Sequence, residues 1–316
     1  MKCLVAIIGP TAIGKSELAL YLSQKFDGVI VNADSRQVYR YMDIGTAKPS
    51  HIEQLLIPHR LIDIVDPDEH FSLAIYQELA DGVIKDVQHH NKLPVLVGGS
   101  GLYVWSVLEG WEIPKVPPDL EFRYSLETKA REEGSYALYE KLLRVDPVAA
   151  MRIMPTNLRR VIRALEVYQA TGMPVSQPGR RHNLSFPVLV IGLTTERADL
   201  YQIIDSRVDE MIKHGFVDEV EGLVANGYSL ELASMSGIGY RQMGMFLKGD
   251  LDLPTAIQQI KTGTHRFARK QYAWFRLNDD RVHWLDVNEG MQENANKLVE
   301  AFLAELEDEE VDNVFR

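Results

Sequence analysis

Short apolar runs alternate with amphipathic segments along the first hundred residues of the chain. The runs "CLVAII", "VIVNAD", "RLIDIVD" and "LPVLVGG" have the length of strands. Between them, "ELALYLSQKF" and "LAIYQELADGVIKDV" carry apolar residues at helical spacing. Apolar strands that are separated by helices are typical of a parallel sheet covered on both faces. The pattern therefore predicts an α/β fold with a parallel sheet flanked by helices.

Polar loops follow three of the predicted strands. They read "GPTAIGKS", "NADSRQVYRYMDIGTAKPS" and "GGSGLYV". In open parallel sheets, ligands bind outside the carboxyl ends of the strands. We therefore expect the three loops to meet at one site.

The first loop has the spacing of a phosphate-binding loop, or P-loop. Such a loop wraps backbone N–H groups around an anion, the following helix adds a positive dipole, and Lys15 adds a charge. Ser16 is placed to bind Mg²⁺, the one cofactor that we expect. The alternative is a glycine turn with a solvated lysine. The residues predicted to hold a diphosphate or triphosphate are Gly9, Pro10, Thr11, Ala12, Ile13, Gly14, Lys15 and Ser16.

The regular alternation stops after the first hundred residues. "EGWEIPKVPPDL" contains three prolines, and the segments that follow are helical in pattern up to about Ala170. A second stretch rich in Pro and Gly, "TGMPVSQPGRRHNLSFP", precedes the strand-like "VLVIGLTT". We predict a helical insertion domain at residues 113–186, inside an α/β core formed by residues 1–112 and 187–316.

Residues 255–276 are predicted to form a helix with two different faces. Ile260, Phe267 and Trp274 recur every seven residues and form an apolar stripe. That pattern leaves a cationic face, which is either a contact for a polyanion or an ordinary solvated surface. The cationic side chains are His265, Arg266, Arg269, Lys270 and Arg276.

Composition narrows the class of protein further. The chain has 316 residues, of which 46% are apolar, so it can bury a sizeable core. No apolar run approaches the ~20 residues of a membrane span, and the first residues lack the pattern of a signal peptide. Cys3, the single cysteine, is expected to be buried on the first strand. We therefore expect a soluble cytoplasmic protein with no membrane partner.

The net charge of −11 argues against a general nucleic-acid binder, which usually has a basic surface. Much of the excess comes from the acidic stretch "ELEDEEVD" near the end of the chain. Local cationic patches matter more than the total, because RNA phosphates are contacted by particular side chains.

Five motifs in a fixed order carry a resemblance to a known family. They are "GPTAIGKS", "NADSRQVYRYMDIGTAKP", "GGSGLY", "GIGYRQ" and "RFARKQYAWFR". From Cys3 to about Trp284 the chain resembles the bacterial tRNA dimethylallyltransferases, or tRNA isopentenyltransferases. The resemblance implies a P-loop NTPase-like fold. It also implies transfer of a dimethylallyl group from dimethylallyl diphosphate to N6 of the adenosine just 3′ of the anticodon, position 37 of tRNA.

The resemblance assigns catalytic roles to Asp34, Lys15, Ser100 and Arg207. Adenine N6 is a poor nucleophile, so a base that takes its proton would help, and the family places that carboxylate at Asp34. Asp34 has alternative roles as a cap of the next turn or as a Mg²⁺ ligand through water. Lys15, Mg²⁺ at Ser16 and Arg207 would stabilise the departing diphosphate. Arg207 has an alternative role as a surface residue paired with Asp209 or Glu210.

The resemblance also implies contacts with the anticodon stem-loop of tRNA. The adenine must leave its stack to react, and the side chain of Gln37 could address a neighbouring base. Arg180, Arg181 and His182 are candidates for further phosphate contacts. The residues assigned to tRNA are Asp34, Ser35, Arg36, Gln37, Ser100, Arg123, Leu158, Arg159, Arg160, Val161, Ile162, Gly237, Ile238, Gly239, Tyr240, Arg241, Gln242, Arg269, Lys270, Gln271 and Arg276.

Three other hypotheses remain open on the sequence. In a P-loop kinase for a small molecule the helical insertion would act as a lid, but "DSRQVYRYMDIGTAKP" would have no role. Prenyl transfer to a free adenine nucleotide would leave the cationic helix without a function. A nucleotide-switched RNA-binding module would bind tRNA without making a product. We expect a monomer, because a bound tRNA would cover much of the surface.

Overall fold

The computed structural model describes residues 2–176 and 184–314. The chain divides into two compact units, which we describe separately: the core unit, Met1–Leu108 with Leu184–Arg316, and the helical unit, Glu109–Asn183. Arg180, Arg181 and His182 lie outside the described residues.

A parallel sheet forms the centre of the core unit. Its strands are β1 (Leu4–Ile8), β2 (Gly28–Asn32), β3 (His59–Arg60), β4 (Leu93–Gly98), β5 (Val188–Thr194) and β6 (Val282–Asp286). Within the described residues the sheet has six strands, all parallel, in the order β3-β2-β4-β1-β5-β6. The predicted parallel sheet is confirmed, and β1, which precedes the P-loop, lies in its interior.

Helices cover both faces of this sheet. In the core unit they are α1 (Lys15–Lys25), α2 (His51–Leu56), α3 (Leu73–His89), α4 (Gly101–Leu108), α9 (Arg197–Lys213), α10 (Phe216–Ala225), α11 (Tyr240–Leu247), α12 (Leu253–Gln271) and α13 (Met291–Val314). Cys3, Val5 and Ile7 pack against α1 and α13 on one face of β1, while the alternate residues are buried on the other face. Cys3 is thus buried, as predicted. Among the described residues, no helix is long and apolar enough to cross a membrane.

The strand predicted from "RLIDIVD" is wrong except at its first residue. β3 ends at Arg60, because Leu61 and Asp63 have positive φ angles of 65° and 54°, which interrupt an extended chain. Val65 then makes an isolated parallel bridge to Tyr39. This irregular course brings the chain beside the loop that follows β2.

The apolar stripe predicted for residues 255–276 is also wrong beyond Ile260. α12 ends at Gln271 and buries Ala256, Ile260, Ala268 and Gln271, whereas the exposed fractions of Phe267 and Trp274 are 41% and 39%. Trp274 lies past the helix end and packs on Gly101, where a Cβ would lie 2.3 Å from its ring. A seven-residue repeat therefore misplaced the buried face of a single helix.

The helical unit has a core of its own. Its helices are α5 (Leu120–Glu133), α6 (Ser135–Val145), α7 (Pro147–Arg152) and α8 (Leu158–Thr171). Asp119, Asp146 and Asn157 accept backbone N–H groups at the starts of α5, α7 and α8, as N-cap residues do. Leu138, Leu142 and neighbouring apolar side chains form the buried cluster between these helices.

Candidate active site

The P-loop joins β1 to α1 through a backbone that needs glycine. Gly9 has a φ of 143°, and a Cβ there would lie 2.6 Å from the carbonyl oxygen of Leu193. Gly14, with a φ of 92°, starts α1 in a left-handed conformation. Among the described side chains, none caps α1 at this end. The first N–H groups of the helix can therefore donate to a phosphate.

Lys15 folds back over the loop that contains it. Its Nζ donates to the carbonyl oxygen of Pro10 at 2.6 Å. Burial, and then repulsion from Arg207, lower the pKa of Lys15 to about 7, against the attraction of Asp34. Phosphate oxygens would stabilise the charged ammonium and raise this pKa.

Ser16 is the one predicted metal ligand, and it lies exposed at the start of α1. No group of three or more His, Cys, Asp or Glu within the described ranges could hold a metal ion. Mg²⁺ is commonly held by one or two protein oxygens, water and substrate phosphates, so Ser16 beside the P-loop fits such an ion.

Asp34 follows β2 and lies half-buried beside the P-loop. Its Oδ1 accepts the backbone N–H of Arg36 at 2.8 Å, so the carboxylate does cap the following turn. Its own N–H donates to Oδ1 of Asn32 at 3.0 Å, which holds the residue from the other side. Across the described residues, no hydrogen bond is seen to Oδ2 of Asp34. One carboxylate oxygen orients the group and the other remains an acceptor.

Ser100 ties the loop after β4 to the loop after β2. Its Oγ accepts the N–H of Ser35 at 3.1 Å and donates to the Ser35 hydroxyl at 3.3 Å. The hydroxyl, which serine shares with threonine, makes both contacts.

Arg207 points from α9 towards the P-loop. Its Nη1 lies 3.5 Å from the Thr11 hydroxyl, and burial lowers the pKa of Arg207 while Asp34 raises it. The alternative ion pairs of Arg207 are absent from the described contacts. Asp209 pairs instead with Lys261 at 2.7 Å, and Glu210 pairs with Lys213 at 2.5 Å.

Two adjoining cavities meet at these residues. The P-loop cavity, of about 380 Å³, is lined by residues 11–17 together with residues of β2, the loop after β2, β4 and Arg207. The apolar cavity, of about 330 Å³, is lined by Ser35, Arg36, Ser100, Ile204, Val208, Phe216, Ile238, Tyr240, Ile260 and Phe267, among others. Five residues line both cavities: Thr11, Ala12, Asp34, Thr46 and Arg207. The carboxylate of Asp34 therefore lies where two substrates can meet.

Two side chains predicted to read RNA are engaged within the core unit. Nη1 of Arg36 donates to the carbonyl oxygens of Ala233 and Ser234 at 2.9 and 3.0 Å. Nε2 of Gln37 donates to the carbonyl oxygens of Thr46 and Ala47 at 3.2 and 3.1 Å. The amide nitrogen of Gln37 is therefore already used within the protein.

Glu219 on α10 is a site residue that the sequence reasoning missed. Its Oε2 accepts the N–H groups of Asp43 and Ile44 at 2.8 and 2.6 Å, and its Oε1 accepts that of Gly45 at 3.2 Å. Oε1 also accepts the hydroxyl of Tyr240 at 2.5 Å. Burial, and then this carboxylate, raise the pKa of Tyr240 well above its ordinary value. The sequence holds no local signal for the contact with residues 43–45, because Ile44 is 175 residues away from Glu219.

Several residues assigned to tRNA by resemblance have buried side chains. Tyr240, Gln242 and Gln271 are 1%, 2% and 3% exposed. Oε1 of Gln242 accepts the N–H of Gly239 at 3.0 Å and thereby starts α11. Val161 and Ile162, at 0% and 4%, belong to the core of the helical unit. These side chains are packed within the protein, and Tyr240 also lines the apolar cavity, so their assignment to tRNA stays a prediction.

Other assigned residues do lie on the surface. Exposed side chains of the core unit are Arg241, Arg269, Lys270 and Arg276, and those of the helical unit are Arg159 and Arg160. Arg123 is engaged with Glu166 at 2.7 and 2.8 Å, and Leu158 packs partly on the helical core. Gly237, Ile238 and Gly239 line the apolar cavity.

Arg269 of α12, Arg197 of α9 and Arg276, which follows α12, line part of a further cavity of about 550 Å³. Tyr201 accepts hydrogen bonds from Arg197 and Arg269 at 3.0 Å each. His265, one turn before Arg269, stacks on the ring of Tyr201, and its Nε2 lies 2.8 Å from Oδ1 of Asp205.

The fold and these cavities are those of a P-loop protein with an anion-binding loop beside a second, apolar cavity. The family model described as IPP transferase matches residues 37–278. The chain therefore belongs to the IPP transferase family.

Comparisons with individual proteins agree with this family. The chain is 52% identical to the tRNA dimethylallyltransferase of Roseiflexus castenholzii, over 86% of this chain and 89% of that protein. It is 44% identical to the protein of the same name from Natranaerobius thermophilus, over 96% and 92%.

Solved structures extend the agreement to the fold. The full-length tRNA isopentenylpyrophosphate transferase of Bacillus halodurans has a TM-score of 0.69 at 39% identity, covering 96% of this chain and 99% of that one. A eukaryotic dimethylallyltransferase acting on tRNA has a TM-score of 0.78 at 26% identity, covering 95% and 78%.

Proposed function

We propose that this chain transfers a dimethylallyl group from dimethylallyl diphosphate to N6 of adenosine 37 in tRNA, giving N6-(dimethylallyl)adenosine. One observation carries the proposal: Asp34 lines both cavities and keeps one carboxylate oxygen outside the hydrogen bonds of the described residues. Membership of the IPP transferase family and the names of the relatives support the same activity.

The P-loop cavity suits the diphosphate. Backbone N–H groups at the start of α1, the ammonium of Lys15 and the guanidinium of Arg207 offer positive charge around it. Negative charge develops on the diphosphate as it leaves, so these groups stabilise the transition state more than the ground state. Mg²⁺, when bound, would add neutralising charge there, held by the Ser16 hydroxyl and the substrate.

Asp34 suits the other half of the reaction. A bond forms between N6 of adenine and C1 of the dimethylallyl group, while the bond between C1 and the diphosphate oxygen breaks. The proton of the amine passes to Oδ2 of Asp34, which keeps N6 neutral as it attacks. The cap from Arg36 N–H to Oδ1 holds the carboxylate in place for this step.

The apolar cavity suits a base that has left its stack. Its lining includes Ser35, Arg36, Gly237 and Ile238, and the resemblance assigns all four to tRNA. An adenine that entered here would reach Asp34 from the side opposite the P-loop. Arg269, Lys270 and Arg276, with Arg159 and Arg160 of the helical unit, are exposed cations for the RNA backbone. We also propose a monomer that works in the cytoplasm.

Product analysis tests the proposal. Purified protein is incubated with dimethylallyl diphosphate, Mg²⁺ and bulk tRNA, and the digested RNA is examined by mass spectrometry for adenosine carrying one added five-carbon unit. We expect this nucleoside with the parent protein and its loss with Asp34→Asn. Free adenosine monophosphate, supplied in place of tRNA, should yield no product.

The rival hypotheses predict other results in the same assay. A kinase would consume ATP with a small hydroxylated substrate and leave tRNA unchanged. A switched RNA-binding module would change its tRNA affinity with ATP or GTP and form no product. Absence of prenylated adenosine from several active tRNA pools would contradict the proposed transfer.

A further inference from the structure

Gln271, the last residue of α12, joins two loops of the active site. Its side-chain Oε1 accepts the backbone N–H of Thr11 at 2.8 Å, and its Nε2 donates to the carbonyl oxygen of Gly99 at 2.8 Å. Thr11 belongs to the P-loop after β1, and Gly99 to the loop after β4. One amide group therefore bridges the ends of two neighbouring strands.

The bridge is buried and leaves no alternative orientation for the amide. Gln271 is 3% exposed, and each of its polar atoms faces a backbone group of the opposite kind. If the amide were flipped, its NH₂ group would face the N–H of Thr11 and its oxygen would face the carbonyl oxygen of Gly99. Two such repulsive contacts are costly at a buried site.

Gly99 is shaped around this glutamine. A Cβ at Gly99 would lie 2.4 Å from Nε2 of Gln271, and 3.5 Å from Nζ of Lys15. The φ angle of Gly99 is not in the left-handed region, so close approach explains the glycine better than backbone conformation does. Gln271, Gly99 and the lysine of the P-loop are thus packed together.

Thr11 links the bridge to the two cavities. Its N–H is taken by Gln271, while its side chain lies 3.5 Å from Arg207 and lines both cavities. A shift of Thr11 would therefore move the wall that a diphosphate and its reacting carbon share.

We infer that Gln271 is a positioning residue for the P-loop, which holds Thr11 and Gly99 at the spacing that a diphosphate requires. This role is an alternative to the RNA contact that the resemblance implies for Gln271. The identity of the anion rests on the proposed function, whereas the bridge itself does not.

Gln271→Met tests the inference because methionine matches the length of glutamine but makes neither hydrogen bond. Gln259→Met, at an exposed position of the same helix, is the matched control. The first readout is hydrogen exchange of the peptide covering residues 9–16 in the free protein. The second is the affinity for inorganic pyrophosphate with Mg²⁺, and the third is the affinity for tRNA without diphosphate.

We expect faster exchange of the P-loop peptide and pyrophosphate affinity that falls about tenfold to a hundredfold, since small misplacements at a site have effects of that size. The tRNA affinity should stay within twofold of the parent, and Gln259→Met should change none of the three. Unchanged exchange or unchanged pyrophosphate affinity would overturn the inference. If the variant loses tRNA affinity but binds pyrophosphate normally, Gln271 contacts RNA, as the resemblance implies.

Gly99→Ala is the second variant, in case Gln271→Met does not fold. It pushes on Nε2 of Gln271 without removing the glutamine, so we expect the same changes in P-loop exchange and pyrophosphate affinity. In the double variant the two effects should not add, because both act on one contact. If the parent protein binds no pyrophosphate, the proposed function fails, while P-loop exchange in the variants still decides whether the bridge positions the loop.

Discussion

The two oxygens of a single carboxylate have different environments at the candidate site. Oδ1 of Asp34 accepts the N–H of Arg36, and Oδ2 has no partner within the described part of the chain. A base held in this way loses little freedom when its substrate arrives. Removal of the acceptor should therefore slow the chemical step and leave binding nearly intact.

Asp34→Asn is expected to lower the single-turnover rate of prenyl transfer by ~10²–10⁴, the usual contribution of a general base. Asparagine keeps an oxygen that can cap the N–H of Arg36, so the affinities for tRNA and pyrophosphate should stay within about threefold. Rapid-quench kinetics and equilibrium binding measure the two quantities. A rate within tenfold of the parent would remove Asp34 from the mechanism.

Lys15 provides a prediction about protons. Its pKa is lowered to about 7, first by burial and then by Arg207, so the free protein at pH 8 holds it mostly neutral. A bound diphosphate favours the charged form and raises this pKa. The terminal phosphate of the ligand, with a pKa of about 6, is already deprotonated at pH 8.

Binding of dimethylallyl diphosphate at pH 8 is therefore expected to take up close to one proton. Titration calorimetry in buffers of different ionisation enthalpy measures this uptake. Lys15→Arg is the control, because arginine stays charged at every pH used and should take up none. Equal proton uptake by the parent and Lys15→Arg would show that Lys15 does not titrate on binding.

At the scale of elements, the loop between β2 and α2 is anchored at two points. Lys48, whose side chain is 3% exposed, contacts Asp43 and Asp63 at 2.5 Å each. Glu219 of α10 accepts three successive N–H groups of residues 43–45 and also holds Tyr240 of α11. This carboxylate therefore connects two walls of the apolar cavity.

Glu219→Gln should disturb that connection. The NH₂ group of the glutamine would face backbone N–H groups, or the Tyr240 hydroxyl, that now donate to the carboxylate. We therefore expect kcat/KM for tRNA to fall about tenfold to a hundredfold. Pyrophosphate affinity should not change, because Glu219 does not touch the P-loop. Glu221→Gln, at an exposed position of the same helix, should behave like the parent. Equal kcat/KM values for the two variants would contradict this role.

The outer face of α12 gives a prediction about salt. Arg269→Ala is expected to weaken tRNA binding and to reduce the slope of log affinity against log salt by about 1, as for the loss of one phosphate contact. Tyr201→Phe keeps the charge of Arg269 and removes only the hydroxyl that it contacts, so its slope should equal that of the parent. Equal slopes for Arg269→Ala and the parent would mean that Arg269 touches no phosphate.

At the scale of the whole molecule, the helical unit carries its own buried charge network. Glu166 of α8, with a side chain 1% exposed, pairs with Arg123 and Arg163 and accepts the N–H of Asp119. Burial by itself would raise the pKa of Glu166, but these partners hold the pKa at about 2, below its ordinary value of 4.5. The network can thus make the stability of the helical unit depend on pH.

A carboxylate with a depressed folded pKa stabilises the protein above its unfolded pKa, and the stabilisation is lost as pH falls from about 4.5 to about 2. The maximum loss is about 3 kcal/mol, at 1.36 kcal/mol for each pKa unit. Calorimetry of the full chain between pH 6 and 3 should show a falling unfolding temperature. Glu166→Gln should unfold at a lower temperature than the parent at pH 6, and its unfolding temperature should fall less between pH 6 and 3. If the unfolding temperatures of the variant and the parent fall equally, the acid sensitivity comes from other groups.

The sequence was most informative where a function depends on neighbouring residues. The P-loop, the parallel sheet and the family could all be recognised from motifs and periodicity, and these predictions are confirmed. The role of Ser16 as a Mg²⁺ ligand and the catalytic role of Asp34 remain predictions. The predicted apolar stripe through Phe267 and Trp274 is wrong, because α12 ends before Trp274 and because Phe267 lines a cavity.

The contacts that shape the site join distant parts of the chain. Gln271 reaches Thr11 across 260 residues, and Glu219 reaches Ile44 across 175. The motif "RKQYAWFR" contains both the exposed Arg269 and the buried Gln271, and the sequence could not separate them. Which side of a helix end faces a loop depends on packing against elements remote in sequence.

By itself, the sequence determined the local features of this protein: the P-loop, the alternation of strands and helices, and the residue types of the site. Backbone preferences and hydrophobic periodicity act over a few residues, so they can be read from the chain directly. Only the tertiary structure decided that Arg207 faces Thr11, that Glu219 holds the loop after β2, and that Gln271 bridges two strand ends. Those contacts exist because the parallel sheet brings the carboxyl ends of its strands to one edge, where residues far apart in sequence become neighbours.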